Sequence, residues 1–143
     1  MEHVLEDYMK GIGVQSDVDE ISDPKAALSA FIENFVRMSA KFPQVHRILT
    51  MESNQGTPRL AWIIDHFLRG HFAFMKEVII RGQNTGVVRQ CDPARLYYLI
   101  IGAGGTPFTV WNEYAALTGR DVFADAEIYR IIAFIHEIVF EAK

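Results

Sequence analysis

The sequence predicts an all-α domain of about six helices, on three observations. A capping residue followed by proline occurs three times, at Asp23-Pro24, Thr57-Pro58 and Asp92-Pro93. Each is a side chain that accepts from the first free N–H groups, then a ring that fits the first helical position at no cost. Behind each signal the apolar residues recur at the 3.6-residue period of a helix buried on one face. Alternating apolar and polar runs of the kind that make strands are absent.

In chain order, residues 2–12 place Val4, Leu5, Tyr8, Met9 and Ile12 at helical spacing with no cap before them, so this helix reads as the remnant of a longer one. An acidic linker comes next. Behind Asp23-Pro24 stand Leu28, Phe31, Ile32, Phe35, Ser39 and Phe42 on one stripe, with Met38 beside it. Phe42-Pro43 closes that helix, because a residue before proline is pushed out of helical geometry. A short helix over 43–54 buries Val45, Ile48 and Leu49 and stops at Gln55-Gly56.

The longest helix is expected over 59–81, with Leu60, Ile63, Ile64, Phe67, Leu68, His71, Met75, Val78 and Ile79 on its buried face and Asp65, Arg69, Lys76 and Glu77 opposite. On that stripe His71 reads as a core histidine with its polar atoms satisfied. Residues 92–119 read as one helix bent after Pro107, with Gly102, Ala103, Gly104 and Gly105 allowing another helix to approach closely. From Leu96 to Trp111 no residue is charged, but 16 residues fall short of the roughly 18 a membrane span needs. The last helix, 125–142, repeats Ile128, Ile131, Ile132, Ile135, Ile138 and Val139 at helical order, while Phe134 and Phe140 lie off the stripe. A helix apolar on two sides calls for two partners, its own core and a second subunit. Leu96, Gly102, Ala103, Gly105, Ile128, Ile131, Phe134, Ile135 and Ile138 are the expected contacts of a homodimer.

Composition narrows the function. The net charge of −4 leaves no basic footprint for nucleic acid, and the first 23 residues hold seven acids against Lys10 alone. A single cysteine, Cys91, excludes an internal disulfide and a cysteine-based zinc site, in keeping with a cytoplasmic protein. No glutamate has a histidine three residues on, as a helical di-iron site requires, and His66 and His71 are five apart. No phosphate-binding glycine loop or nucleophile elbow occurs. The expectation is a protein that is not an enzyme and carries neither metal nor cofactor.

What remains is a binding site. Phe35, Met38 and Phe42, then Trp62, His66 and Phe74, then Phe108, Trp111 and Tyr114 converge if three helices meet around a cavity. Arg47, His66 and Asn112 are the candidates for its polar minority, and an apolar or aromatic small molecule is the expected ligand. The plainer reading is that each aromatic only fills the core.

Taken together, KFPQVHRILTMESNQGTPRL, FMKEVIIRGQNTGVVRQCDPARLYYLIIGAGG and the final helix resemble the ligand-binding, C-terminal part of TetR-family transcriptional regulators. The resemblance is carried by Phe42-Pro43, Met51-Glu52, Gly82 to Gly86 with Arg89, and Asp92-Pro93 in that order. It implies one effector-binding and dimerisation domain over 1–143, with the last two helices forming a four-helix bundle across a homodimer. It further implies an effector cavity among the middle helices and a repressor whose DNA contact is made only through an N-terminal domain missing here, reached through residues 2–12. The alternative is a stand-alone helical dimer that sequesters a small apolar ligand or pairs with full-length regulators.

Overall fold

A computed structural model describes residues 22–142; the expected helix over 2–12 and the acidic linker lie outside them. Among the described residues the chain forms six helices: α1 (Pro24–Lys41), α2 (Pro43–Ser53), α3, α4 (Pro93–Thr109), α5 (Trp111–Thr118) and α6 (Asp125–Val139). Helix α3 runs through Pro58–Ile63, a π-helical stretch Ile64–Leu68, and Arg69–Asn84 without a break.

The three expected caps are all formed. Asp23 accepts from the Ala26 N–H, Thr57 Oγ1 from the Leu60 N–H and Asp92 from the Arg95 N–H, each at 3.1 Å. Helix α1 lies at the centre and packs on α3, α4 and α6. Its stripe of Leu28, Phe31, Ile32, Phe35 and Val36 is buried against Met75, Val78 and Ile79 of α3, Ile100 and Phe108 of α4, and Ile132 and Ile135 of α6 in one core. Helix α4 is the second axis, touching α2, α3 and α6 as well as α1. Ser29 Oγ of α1 also meets His136 Nε2 of α6 at 3.3 Å.

Three boundaries differ from expectation. The long helix extends through Asn84, and Gly86, at φ 80°, supplies the left-handed turn behind it. Residues 92–119 make two helices instead of one bent helix: proline 107 withholds a backbone N–H and crowds the preceding turn, and the chain leaves helical geometry at Val110 (φ −108°, ψ 37°). The last helix stops at Val139, because Phe140 is extended and bridges Val88 antiparallel. Around that bridge the Arg89 N–H donates to the Val139 carbonyl at 2.9 Å and the Glu141 N–H to the Val87 carbonyl at 3.0 Å. This clasp joins the far ends of α3 and α6, and Gly82 leaves room there for the Val88 side chain.

No helix among the described residues is long and apolar enough to cross a membrane, and no group of three metal-ligating side chains occurs among them.

Candidate ligand-binding site

A cavity of about 390 Å³ opens between α1, α2, α3 and α4. Its floor is buried: Phe35 from α1, His71 from α3 and Tyr97 from α4. Leu68 and Phe72 of α3 and Leu49 of α2 give apolar wall, while Thr50, Ser53, Asn54, Tyr98 and Thr106 stand at the exposed rim. Tyr98 is 65% exposed, so its ring flanks the mouth.

Local helix geometry sets these positions. In the π-helical stretch the Arg69 N–H bonds back to the Ile64 carbonyl, one residue further than in an α-helix. The extra residue rotates the remainder of the helix about its axis, and such stretches recur at functional sites. Leu68, His71 and Phe72 thereby face α4. On α4, Tyr97, Ile101 and Gly102 are spaced at about one turn and line the same wall. Gly104 is buried where a side chain would meet Phe35 and Val36 at 3.0–3.1 Å, and Gly105 where one would meet the His46 ring. Those two glycines let α1 and α2 close on α4.

The polar centre is the His71–Tyr97 pair. His71 is 1% exposed, and its Nδ1 lies 3.1 Å from the Tyr97 hydroxyl. Its Nε2 is buried with no partner among the described residues, so the expected satisfied core histidine is only half satisfied. Burial lowers the His71 pKa to about 4, so the ring is neutral at neutral pH. His46, on the opposite wall, is also lowered by burial. Aromatic neighbours complete the floor: the Phe31 ring stacks on Tyr97 with centroids 5.9 Å apart, and Phe72 meets Tyr97 edge-on at 5.1 Å.

Of the sequence-predicted ligand contacts, only Phe35 lines this cavity. Phe74 and Phe108 are core residues, and Met38 and Phe42 pack half-buried against the core. Trp62 and His66 stack on each other on the surface, with centroids 4.3 Å apart, and His66 Nδ1 binds the Trp62 carbonyl. Arg47, Trp111 and Asn112 are exposed. Tyr114 points to α6, where its hydroxyl donates to Glu127 Oε2. The expected convergence around one cavity does not form: Phe74 and Phe108 point into the core, while Trp62, His66, Trp111 and Asn112 lie on the surface. Sequence did hold one usable signal: a histidine on an apolar stripe, opposite the Tyr97-Tyr98 pair one turn before the glycines.

A second concavity, of about 580 Å³, lies on the α4–α6 side, lined by Ala103, Pro107, Ile131, Phe134 and Ile135 with Tyr114, Arg120, Glu127 and Arg130 at one end. Glu127 is 6% exposed and accepts from Tyr114, with Arg130 and Arg120 at 3.9 and 4.0 Å. The Tyr114 pKa is raised, first by that hydrogen bond and then by burial.

Comparison with known families is decisive. A sequence model described as Tetracyclin repressor-like, C-terminal domain matches residues 24–139, nearly all of the helical body. The chain belongs to this family. It is the C-terminal domain of a TetR-like transcription regulator, the ligand-binding part of such a protein. No curated protein matches the chain. The all-α fold of this TetR-like domain is the one the sequence predicted.

The expected dimer contacts of the TetR-like domain divide. Leu96, Ile128 and Ile135 are buried in its own core, and Gly105 is covered by His46. Gly102 lies at the mouth of the cavity instead. Ala103, Ile131 and Ile138 are partly exposed and Phe134 is 60% exposed.

Proposed function

We propose that the domain senses a small apolar or aromatic molecule in the α1–α4 cavity and that occupancy changes the DNA affinity of a repressor. The reading head in this proposal is an N-terminal domain joined through residues 2–12. The observation that carries it is a largely apolar cavity, within the roughly 300–1,000 Å³ usual for small-molecule sites, floored by a buried polar pair. The protein acts as a homodimer through the outer faces of α4 and α6, where Ala103, Ile131, Phe134 and Ile138 offer apolar surface. A ligand that prefers one placement of the helices shifts the spacing of two reading heads, which must match half-sites about 34–36 Å apart.

The test is operator binding by the product of the complete reading frame, with and without a ligand found by thermal shift. Couplings of this kind change affinity by about 5–150-fold. A ligand that binds while operator affinity stays the same refutes the reading.

A further inference from the structure

The ligand-sensing reading names the effector only as apolar or aromatic, and the cavity lining narrows it further. None of the side chains that line the cavity is an aspartate, glutamate, lysine or arginine. A charged ligand would lose its hydration and find no counter-charge, a cost of many kcal/mol that only a paired charge offsets. The walls are flat: Phe35, Phe72, Tyr97 and Tyr98 present rings, with aliphatic Leu49, Leu68 and Ile101 between them. Flat apolar molecules stack or sit edge-on against such walls with a gain beyond area burial.

At the floor the polar chemistry has one direction. The His71 ring is neutral, so one of its nitrogens carries the proton. Its Nδ1 faces the Tyr97 hydroxyl at 3.1 Å. Imidazole nitrogen is a better acceptor than phenol oxygen, so the O–H donates to Nδ1 and the proton of the ring stays on Nε2. That N–H is buried without a partner among the described residues. A buried donor left unpaired is destabilising, and a ligand acceptor relieves it. His71 lines the cavity floor, and a small rocking of its ring about the soft second torsion, with Nδ1 kept on the Tyr97 hydroxyl, is all that an acceptor seated there needs to reach this N–H.

We infer that the cavity selects neutral, flat aromatic molecules carrying a hydrogen-bond acceptor, and that the acceptor takes the His71 Nε2–H. This rests on the ligand-sensing reading and deepens it.

The experiment uses three probes on one rigid frame: 9-fluorenone with a carbonyl acceptor, fluorene with none, and fluorene-9-carboxylate with a charge. Affinity for the full chain is measured by calorimetry. Fluorenone is expected to bind about ten-fold tighter than fluorene, with the carboxylate weakest. In His71→Phe the preference for fluorenone over fluorene disappears while fluorene still binds. His71→Gln keeps a donor and keeps part of the preference, which separates lost recognition from lost folding. Equal binding of fluorenone and fluorene, unchanged in His71→Phe, overturns the acceptor inference and leaves the sensing cavity standing. Tightest binding by the carboxylate overturns the neutral class. If no probe binds, the inference falls together with the cavity reading.

Discussion

The His46 imidazole lies directly over Gly105, so close that a Cβ on residue 105 would stand 2.5 Å from the ring carbon Cε1. The ring of α2 occupies the space that a side chain on α4 would need, and this contact holds one wall of the cavity. Gly105→Ala is expected to destabilise the fold by about 1–3 kcal/mol, the usual cost of overpacking. Urea denaturation measures it. An unchanged midpoint would mean that the two helices do not close as described.

Acid should weaken the fold through His71. Its folded pKa is about 4, against about 6.5 in an unfolded chain. Between those values the unfolded chain binds the proton and the folded chain does not. Stability is therefore full above about pH 6.5, falls as the pH drops toward 4, and then levels off for this group. The loss attributable to His71 is about 3 kcal/mol at most. His46 and His136, both lowered first by burial, act in the same direction. His71→Phe is expected to flatten most of the decline in a series of denaturation curves from pH 7 to 4.5.

Gly102 separates ligand binding from stability. A Cβ there meets nothing within 4 Å, yet the residue lines the cavity. Gly102→Leu should raise stability by up to about 1 kcal/mol through helix propensity. The same side chain fills the mouth, so fluorenone affinity is expected to drop at least ten-fold by calorimetry. A variant that binds as well as the parent would move the ligand away from this wall.

The helical architecture could be read from the chain because its punctuation is local. Three cap-and-proline signals act within a few residues, and each cap forms where the sequence placed it. The cavity could not be read in the same way. The stripe that periodicity puts on the buried face of α3 is buried at Ile63, His71, Met75, Val78 and Ile79, but periodicity does not say beside which of them a gap is left. Trp62 and His66, off that stripe, stay on the surface, while Leu68 and Phe72 flank the gap. Gly105 shows the same limit, since a small residue announces close approach without naming what approaches. Here it is His46 of the same subunit.

Tyr114→Phe tests the junction of α5 and α6. It removes the donor to the buried carboxylate of Glu127 and leaves only Arg120 and Arg130 at the edge of ion-pair distance. A loss of about 1–3 kcal/mol is expected for a buried acceptor deprived of its partner. Glu127→Gln with Tyr114→Phe should recover part of it, read as a double-mutant cycle in urea. Additive effects would mean the two side chains act separately.

Phe134 tests the homodimer. It is 60% exposed on α6, so replacing it should leave the isolated subunit about as stable as before. Phe134→Glu places a charge in the proposed interface of each copy, two like charges across a two-fold axis. Light scattering after size exclusion is expected to show half the parent mass. A parent that is monomeric, or a variant that stays dimeric, moves the interface elsewhere.

The Val88–Phe140 bridge gives α3 a fixed end. With Arg89 and Glu141 stitching the same spot, the helix is pinned beside Asn84, while its opposite tip begins at Pro58, beyond the π-helical stretch. A rod pinned at one end acts as a lever. In the sensing reading proposed above, pressure on Leu68 or His71 would have little travel toward the clasp and would be delivered to the Pro58 tip, which the Arg59–Glu52 salt bridge and the Thr57–Glu52 hydrogen bond join to α2.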